Sequence, residues 1–91
     1  MKKTKEDDLI YVGRCKKLYS LSKKHSKYVL EFLVDSEDDW FIYVAQRLKK
    51  TRVIEDYSII IRKDIPGWLS HKKKQGWEIT ENFENEINFT E

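Results

Sequence analysis

The sequence predicts a single small α+β domain, built on an antiparallel-dominated sheet of four to five strands with two helices on one face. Its 91 residues correspond to one domain, and its hydrophobic content of 40% is enough for one small core. Several segments alternate apolar and polar side chains as strands do, and two segments carry helix-capping signals. Within the domain 1–91, we expect residues 1–7 to be flexible and residues 84–91 to form a loosely docked acidic tail.

The N-terminal half predicts a β-hairpin. Residues 9–21 place apolar side chains at alternate positions, which predicts a strand with a bulge at Gly13. Residues 28–35 predict a second strand, and its wholly apolar face consists of Tyr28, Leu30, Phe32 and Val34. The connection 22–27 is short and polar, so the two strands should pair antiparallel.

Residues 36–52 favour a helix, with a strand as the alternative. Ser36 is a candidate N-cap, and the acidic residues 37–39 suit the first turn of a helix. The helix would gather five apolar side chains on one arc, namely Trp40, Phe41, Val44, Ala45 and Leu48. The alternative follows from the high β propensity of residues 40–44, and it would give a longer antiparallel meander. A strand here would need burial on both faces, for which so short a chain has few places.

The C-terminal half predicts a strand, a helix and a further strand. Residues 53–63 alternate again. Asp64 is a candidate N-cap, Pro66 fits the first turn of a short helix, and Gly76 fits the position just after its end. The inward side of this helix consists of Ile65, Trp68, Leu69 and Lys72. Trp77 begins a further strand, and residues 87–89 supply either a last edge strand or a docked tail. We expect Trp68 and Trp77 in the core or at its edge.

The charge is small overall but unevenly distributed. The formal net charge is +2 and the pI is about 8.6. Residues 1–77 hold all 18 Lys and Arg and 11 of the 16 Asp and Glu, a charge of +7, whereas residues 78–91 carry −5. A basic body with an acidic end can orient the protein on a charged partner. The lysine runs and their neighbours supply the candidate binding residues: Lys23, Lys24, His25, Lys49, Lys50, Trp68, His71, Lys72, Lys73 and Lys74.

The sequence contains no catalytic constellation. Cys15 falls at an inward position of the predicted first strand, so we expect a buried thiol. His25 and His71 are the only histidines, and no pattern indicates that they converge. One cysteine and two histidines match no zinc spacing, and the chain has neither a calcium loop nor a glycine-rich phosphate loop. We therefore expect no enzyme, no cofactor and no metal.

The sequence also favours the cytoplasm over a membrane or a secreted location. A single cysteine excludes an intramolecular disulfide, which suits a reducing compartment. The longest apolar run, residues 40–45, is far shorter than the roughly 20 residues that cross a bilayer. The basic start at Lys2 and Lys3 is followed by acidic residues rather than by the apolar stretch of a signal peptide.

Together these observations predict a non-enzymatic docking protein of the accessory or inhibitor type, which binds a surface of a larger protein. A nucleic-acid-handling protein is a natural partner for so charged a domain. The alternative is a nucleic-acid-binding module that uses the lysine clusters with interleaved aromatic rings. A third hypothesis is a small metal-independent nuclease with His25 and His71. We expect the apolar groups to be used up in the core, so that an exposed Trp40, Trp68 or Trp77 would mark a docking patch.

Overall fold

The computed structural model describes residues 5–35 and 37–83, which form two helices and a five-stranded sheet. A short 3-10 turn, Arg62–Asp64, joins the fourth strand to the second helix. All strand pairs are antiparallel, in the order β4-β3-β2-β1-β5, so the predicted α+β fold class is confirmed. The elements are α1 (Lys5–Gly13), β1 (Lys16–Lys23), β2 (Tyr28–Asp35), β3 (Asp38–Leu48), β4 (Ile54–Ile61), α2 (Ile65–Lys74) and β5 (Trp77–Asn82).

Three of the predictions fall wholly or partly on residues that the structure does not describe. The predicted acidic tail 84–91 lies outside the described residues. Of the predicted flexible start, residues 1–4 also lie outside them, whereas residues 5–7 belong to α1. Ser36, the predicted helix N-cap, lies in the gap between the two described ranges.

The larger core cluster lies between the sheet and α2. Alternate side chains of the sheet strands point into it, which is the pattern expected of strands with a buried face. Ile65, only 5% exposed, anchors α2 there, and Trp68 and Trp77 pack against the edge of the cluster as predicted. The sheet contributes Leu18, Tyr19, Leu21, Leu30, Phe32, Val34, Ile42, Val44 and Ile60.

A smaller cluster covers the opposite face of the sheet, beneath α1. Leu33 and Ala45 alternate along their strands with members of the larger cluster, so their side chains point to the other side. Val12 of α1 and Ile54 of β4 complete the buried part of this cluster. The two helices therefore pack on opposite faces, whereas the sequence analysis placed both on one face.

Within the segment 36–52, Asp38–Leu48 form a strand, so the predicted helix is wrong and the alternative holds. β3 runs over Asp38–Leu48 and pairs with β2 and β4 along its length. Ile42 and Ala45 are both fully buried, one in the cluster under α2 and the other in the cluster under α1. The difficulty with a strand was the lack of a second cover, and α1 supplies that cover.

The predicted strand over residues 9–21 is divided between a helix and a shorter strand. α1 ends at Gly13, the residue predicted as a bulge, and β1 begins three residues later. Leu9 and Val12 are three residues apart and therefore share the face of α1 that packs on the sheet. Over so few residues, alternation does not distinguish a strand from a helix. β1 pairs antiparallel with β2 as predicted, and the register shifts at Leu18 instead.

The second predicted helix and the strand that begins at Trp77 are confirmed. α2 begins after Asp64, although the Asp64 side chain makes no capping hydrogen bond, and Pro66 lies in the first turn. Gly76 has a φ of 100°, a left-handed conformation that only glycine adopts without strain, and it reverses the chain into β5. The predicted strand over residues 53–63 corresponds to β4.

An ion-pair network centred on a buried carboxylate connects four strands on the α1 face. Glu31 of β2 is 1% exposed, and Arg47 Nε of β3 donates a hydrogen bond of 2.9 Å to its Oε1. Lys17 Nζ of β1 lies 3.5 Å from Glu31 Oε2 and 3.0 Å from Glu81 Oε1 of β5. Two cations thus compensate one desolvated carboxylate, which makes its burial tolerable.

Removing this carboxylate should destabilise the fold. We expect Glu31→Ala to lower the free energy of unfolding by about 3 kcal/mol, because Arg47 would keep its partly buried charge without a counterion and Lys17 would keep only the exposed Glu81. The matched control is Glu81→Ala, whose side chain is 47% exposed and which should cost less than about 1 kcal/mol. Urea unfolding followed by circular dichroism measures both, and equal costs would contradict this account of the network.

Candidate functional site

The α1 face of the sheet is only partly covered by its helix. Nine residues give α1 a length of about 13 Å, whereas the eight residues of β4 extend over about 26 Å. α1 packs over the start of β4, at Ile54. Towards the other end of β4, Phe41, Ile59 and Ile61 remain 47%, 55% and 38% exposed. We call these three side chains the apolar patch.

Strand register brings the apolar patch together. Phe41 pairs with Ile61 across β3 and β4, and Tyr43 pairs with Ile59. Because these residues alternate with the core positions Ile42 and Ile60, they share the α1 face. Phe41, Tyr43 and Ile59 also line a cavity of about 220 Å³, together with two carboxylates described next.

An acidic rim borders the apolar patch at the β2–β3 turn. Asp35 and Asp38 are the two carboxylates that line the cavity. The Tyr11 hydroxyl of α1 donates a hydrogen bond to Asp35 Oδ2, and the Glu37 backbone N–H donates one of 3.0 Å to Asp35 Oδ1. These two donors, the backbone N–H foremost, hold the pKa of Asp35 below its usual value. Glu37 and Asp38, which were predicted to lie in the first turn of a helix, therefore lie at this turn instead.

Tyrosine side chains connect the rim to α1. The Tyr11 and Tyr43 rings meet edge to face with centroids 6.0 Å apart, and Tyr43 meets Tyr57 in the same way at 5.6 Å. The hydrogen bond to Asp35 raises the pKa of the Tyr11 hydroxyl, and burial raises the pKa of Tyr43. Tyr11 therefore stays protonated and keeps donating to the ionised carboxylate at neutral pH.

Two loops meet at the other end of the sheet, where they bring lysines together. The Lys49 backbone N–H, in the β3–β4 loop, donates a hydrogen bond of 2.9 Å to the Lys27 carbonyl at the end of the β1–β2 turn. The Lys49 ammonium donates another, of 3.2 Å, to the Lys23 carbonyl at the end of β1. The runs Lys23–Lys24 and Lys49–Lys50, which are far apart in sequence, are thus neighbours in the fold.

The last turn of α2 reaches the same end. α2 finishes at Lys74, and Trp77 at the start of β5 pairs with Lys23 of β1. The Lys23 ammonium lies 6.0 Å from the centre of the Trp77 ring, and its side chain passes close to Gly76. We call this surface the basic end; its cations are Lys23, Lys24, Lys27, Lys49, Lys50, Arg52, Lys72, Lys73 and Lys74.

The basic end unites the candidate binding residues that the sequence analysis chose, with one exception. The lysines of all three runs lie there, and so do the exposed histidines His25 and His71. Trp68 is the exception, because its ring packs against the larger core cluster, with the Lys72 ammonium 5.2 Å from the ring centre. Tyr28 lies beside the basic end, under the Lys27 ammonium at 5.4 Å.

The three nucleophilic or imidazole side chains do not form one group. Cys15 precedes β1 and His25 follows it, so the length of the strand, about 25 Å, separates them. Burial raises the pKa of the Cys15 thiol, whose Sγ lies 3.6 Å from the Tyr11 carbonyl. His71 Nε2 lies 3.3 Å from the Gln75 amide nitrogen. Across residues 5–35 and 37–83, no three His, Cys, Asp or Glu side chains are grouped so as to hold a metal ion.

Comparison of the chain with models of known protein families, with curated proteins and with solved structures found no match. Among the helices of the described residues, none has the length and apolar character needed to cross a membrane. The apolar patch and the basic end are therefore interpreted from their own chemistry.

The apolar patch was not predicted from the sequence. The sequence pattern favours a helix at Phe41 and burial of the apolar groups in the core. The signal was the run of three isoleucines in β4, of which only Ile60 is buried. An apolar side chain on both faces of an edge strand indicates that one of the faces is uncovered. Trp40 is 66% exposed, but it alternates with Phe41 and therefore lies on the α2 face, so the exposed tryptophan does not mark the apolar patch.

The hydrogen bonds of the acidic rim predict a specific pH dependence. Because the pKa of Asp35 is lower in the folded chain than its usual value of 3.8, this carboxylate stabilises the fold above about pH 4, and its contribution disappears as the pH falls through the lowered pKa. The Asp35→Asn variant keeps the acceptor but cannot titrate. Between pH 5 and pH 3 we expect its melting temperature to fall less than that of the wild type, and equal falls would contradict the assignment.

Proposed function

We propose that this protein is a non-enzymatic, cytoplasmic docking module that binds a surface of a larger protein through the apolar patch. The observation that carries the proposal is the adjacency of three large, partly exposed apolar side chains, Phe41, Ile59 and Ile61, on one sheet face. Contiguous apolar surface of this kind marks interaction sites, because water leaves it favourably when a partner covers it. Covering each half-exposed side chain contributes about 1 kcal/mol, so the three together favour binding by about two orders of magnitude.

The acidic rim indicates the chemistry of the partner. Asp35 and Asp38 line the cavity at the patch, and the exposed Glu37 lies in the same turn. A complementary surface would therefore be apolar at its centre and rimmed by Lys or Arg. Proteins that handle nucleic acid carry basic surfaces, so we favour this class of partner and an accessory or inhibitory role upon it.

The positions of the reactive groups support the non-enzymatic part of the proposal. Cys15 has a thiol whose pKa is raised by burial, which leaves little thiolate to act as a nucleophile at neutral pH. Its distance from His25, set by the length of β1, leaves it without that imidazole as a base. The apolar patch itself holds no nucleophile.

Substitution in the apolar patch should strongly reduce capture of the partner. We expect Phe41→Ser to reduce the amount of partner recovered from a nuclease-treated lysate at least about tenfold, because the side chain would no longer fill the partner's apolar surface. The matched control is Val53→Ser, an equally exposed apolar residue in the β3–β4 loop at the basic end, which should capture as the wild type does. Equal recovery by the two variants would contradict docking through the apolar patch.

A second candidate function is nucleic-acid binding by the basic end. The observation that favours it is the convergence of three lysine runs, from the β1–β2 turn, the β3–β4 loop and the last turn of α2. Such a cluster attracts phosphates, and the rings of Tyr28 and Trp77 lie at its border. Because nearly all the cations are lysines, we propose phosphate binding without base-specific contacts.

Removing two positive charges from either end of the sheet should distinguish nucleic-acid binding at the basic end from general attraction by the positively charged domain. We expect Lys49→Ala/Lys50→Ala to weaken the binding of a fluorescent single-stranded oligonucleotide about tenfold and to reduce its salt dependence. Lys16→Ala/Lys63→Ala removes the same charge from the other end of the sheet and should have a small effect. Fluorescence anisotropy at two salt concentrations measures both, and no binding at low salt would remove this candidate.

The same oligonucleotides test the third hypothesis, a nuclease. His25 and His71 both lie at the basic end, which keeps this hypothesis worth testing. We expect RNA incubated with the wild type to remain intact. Cleavage that is lost in both His25→Ala and His71→Ala would instead support general acid–base catalysis by these imidazoles.

A further inference from the structure

β4 is an open edge of the sheet. Among the described residues it pairs with β3 alone, so one side of its backbone has no strand beside it. Proteins usually protect such edges with charged side chains, Pro, bulges or a short strand, because free backbone groups pair with other chains. In β4 the charges and the register shift are confined to the start, at Glu55 and Asp56. Residues 57–61 contain no charge and no Pro, and they include the exposed Ile59 and Ile61. The edge therefore has the properties of a strand that pairs.

The charges around β4 make this edge complementary to itself. The strand begins with the exposed acids Glu55 and Asp56, and it is followed directly by the bases Arg62 and Lys63. In an antiparallel pair of identical strands, the start of each copy lies opposite the end of the other. We propose that two copies of this chain pair antiparallel through β4, so that their sheets join into one continuous sheet.

Symmetry and charge together select the register. A twofold axis perpendicular to the sheet relates the two copies, and paired residues lie on the same face of the sheet. The axis must therefore pass midway between the two copies of one residue, which face each other across the pair. β4 ends at Ile61 and Arg62–Asp64 form a 3-10 turn, so strict cross-strand pairing stops at Ile61. With Ile59 at the axis, Tyr57 lies opposite Ile61. The acids at the start of each β4 then lie near the turn that carries Arg62 and Lys63 of the other copy, and opposite charges attract there.

The neighbouring registers lack this match. Moving the axis to Ser58 places Asp56 opposite Ile60, so the acids meet apolar side chains. Moving it to Ile60 leaves only Ile59–Ile61 of each strand paired, because the residues that follow belong to the 3-10 turn. The register centred on Ile59 is thus the one that pairs the uncharged residues 57–61 with each other and brings the acids of each copy near the bases of the other.

The paired sheet would join the two apolar patches. Because the twofold axis is perpendicular to the sheet, both α1 faces point the same way, and Tyr57 of one copy lies beside Ile61 of the other. Pairing uses the edge of β4, whereas the proposed docking uses the face of the sheet. The dimer is therefore independent of the docking function, and either proposal can fail alone.

Self-association is tested directly by sedimentation velocity. We expect the wild-type chain to shift from monomer to dimer across a dilution series between the micromolar and the millimolar range. A chain that stays monomeric throughout that series would overturn the proposal.

Charge reversal tests the register. Glu55→Lys/Asp56→Lys and Arg62→Glu/Lys63→Glu each oppose like charges in their own dimers, so each should self-associate at least about tenfold more weakly than the wild type. Mixed in equal amounts, the two variants should recover dimerisation, because the basic start of one faces the acidic end of the other. Failure to recover dimers from two folded variants would overturn the pairing through β4.

A single substitution serves if either double variant does not fold. Ile59→Lys places two ammonium groups side by side at the twofold axis, so it should be monomeric at concentrations where the wild type is dimeric. The matched control is Ile10→Lys on α1, which is 57% exposed and should leave the dimer intact. A dimer that survives Ile59→Lys, or that is lost equally in Ile10→Lys, would contradict association through this edge.

Discussion

The burial of β2 and β3 on both faces is the constraint on which the rest of the structure depends. Five consecutive residues of β2, from Leu30 to Val34, are buried, so side chains on both sides of that strand need cover. α2 covers one face and α1 covers the other. An antiparallel sheet of this size commonly leaves one face in water, and here the N-terminal helix turns that face into a second, smaller core.

The apolar patch is a consequence of this arrangement. A nine-residue helix reaches only part of the sheet, so the α1 face is dry beneath Val12 and uncovered at Phe41 and Ile59. The basic end has a different cause. Antiparallel connections place alternate loops at the same end of the sheet, and the lysine runs occupy those loops and the end of α2. The apolar patch and the basic end therefore lie at opposite ends of the sheet.

The fold class could be predicted because its strongest signals are local. Gly76 and Pro66 bound α2, and the apolar residues at every second position from Tyr28 to Val34 identify β2, so these elements follow from backbone preference and period alone. The segment 36–52 was misassigned because its structure depends on a distant part of the chain. Whether an apolar run such as residues 40–44 can be a strand depends on a second cover, and that cover is a helix formed by a different part of the chain.

The candidate sites divide in the same way. The lysine runs could be chosen from sequence because exposed cations stay on the surface in almost any fold, and the structure then places them together. The apolar patch could not, since the exposure of Phe41 depends on how far α1 extends. The self-complementary charge pattern around β4 is visible in the sequence, and it gains meaning only once β4 is known to be an edge.

The central claim is that α1 and α2 cover opposite faces of one sheet whose third strand spans residues 38–48. Nuclear Overhauser contacts between methyl groups test it most directly. We predict contacts from Val12 to Ala45 on one face and from Ile65 to Ile42 on the other, with extended chemical shifts throughout β3. Helical chemical shifts across β3, or contacts that place Val12 and Ile65 on the same face, would contradict it.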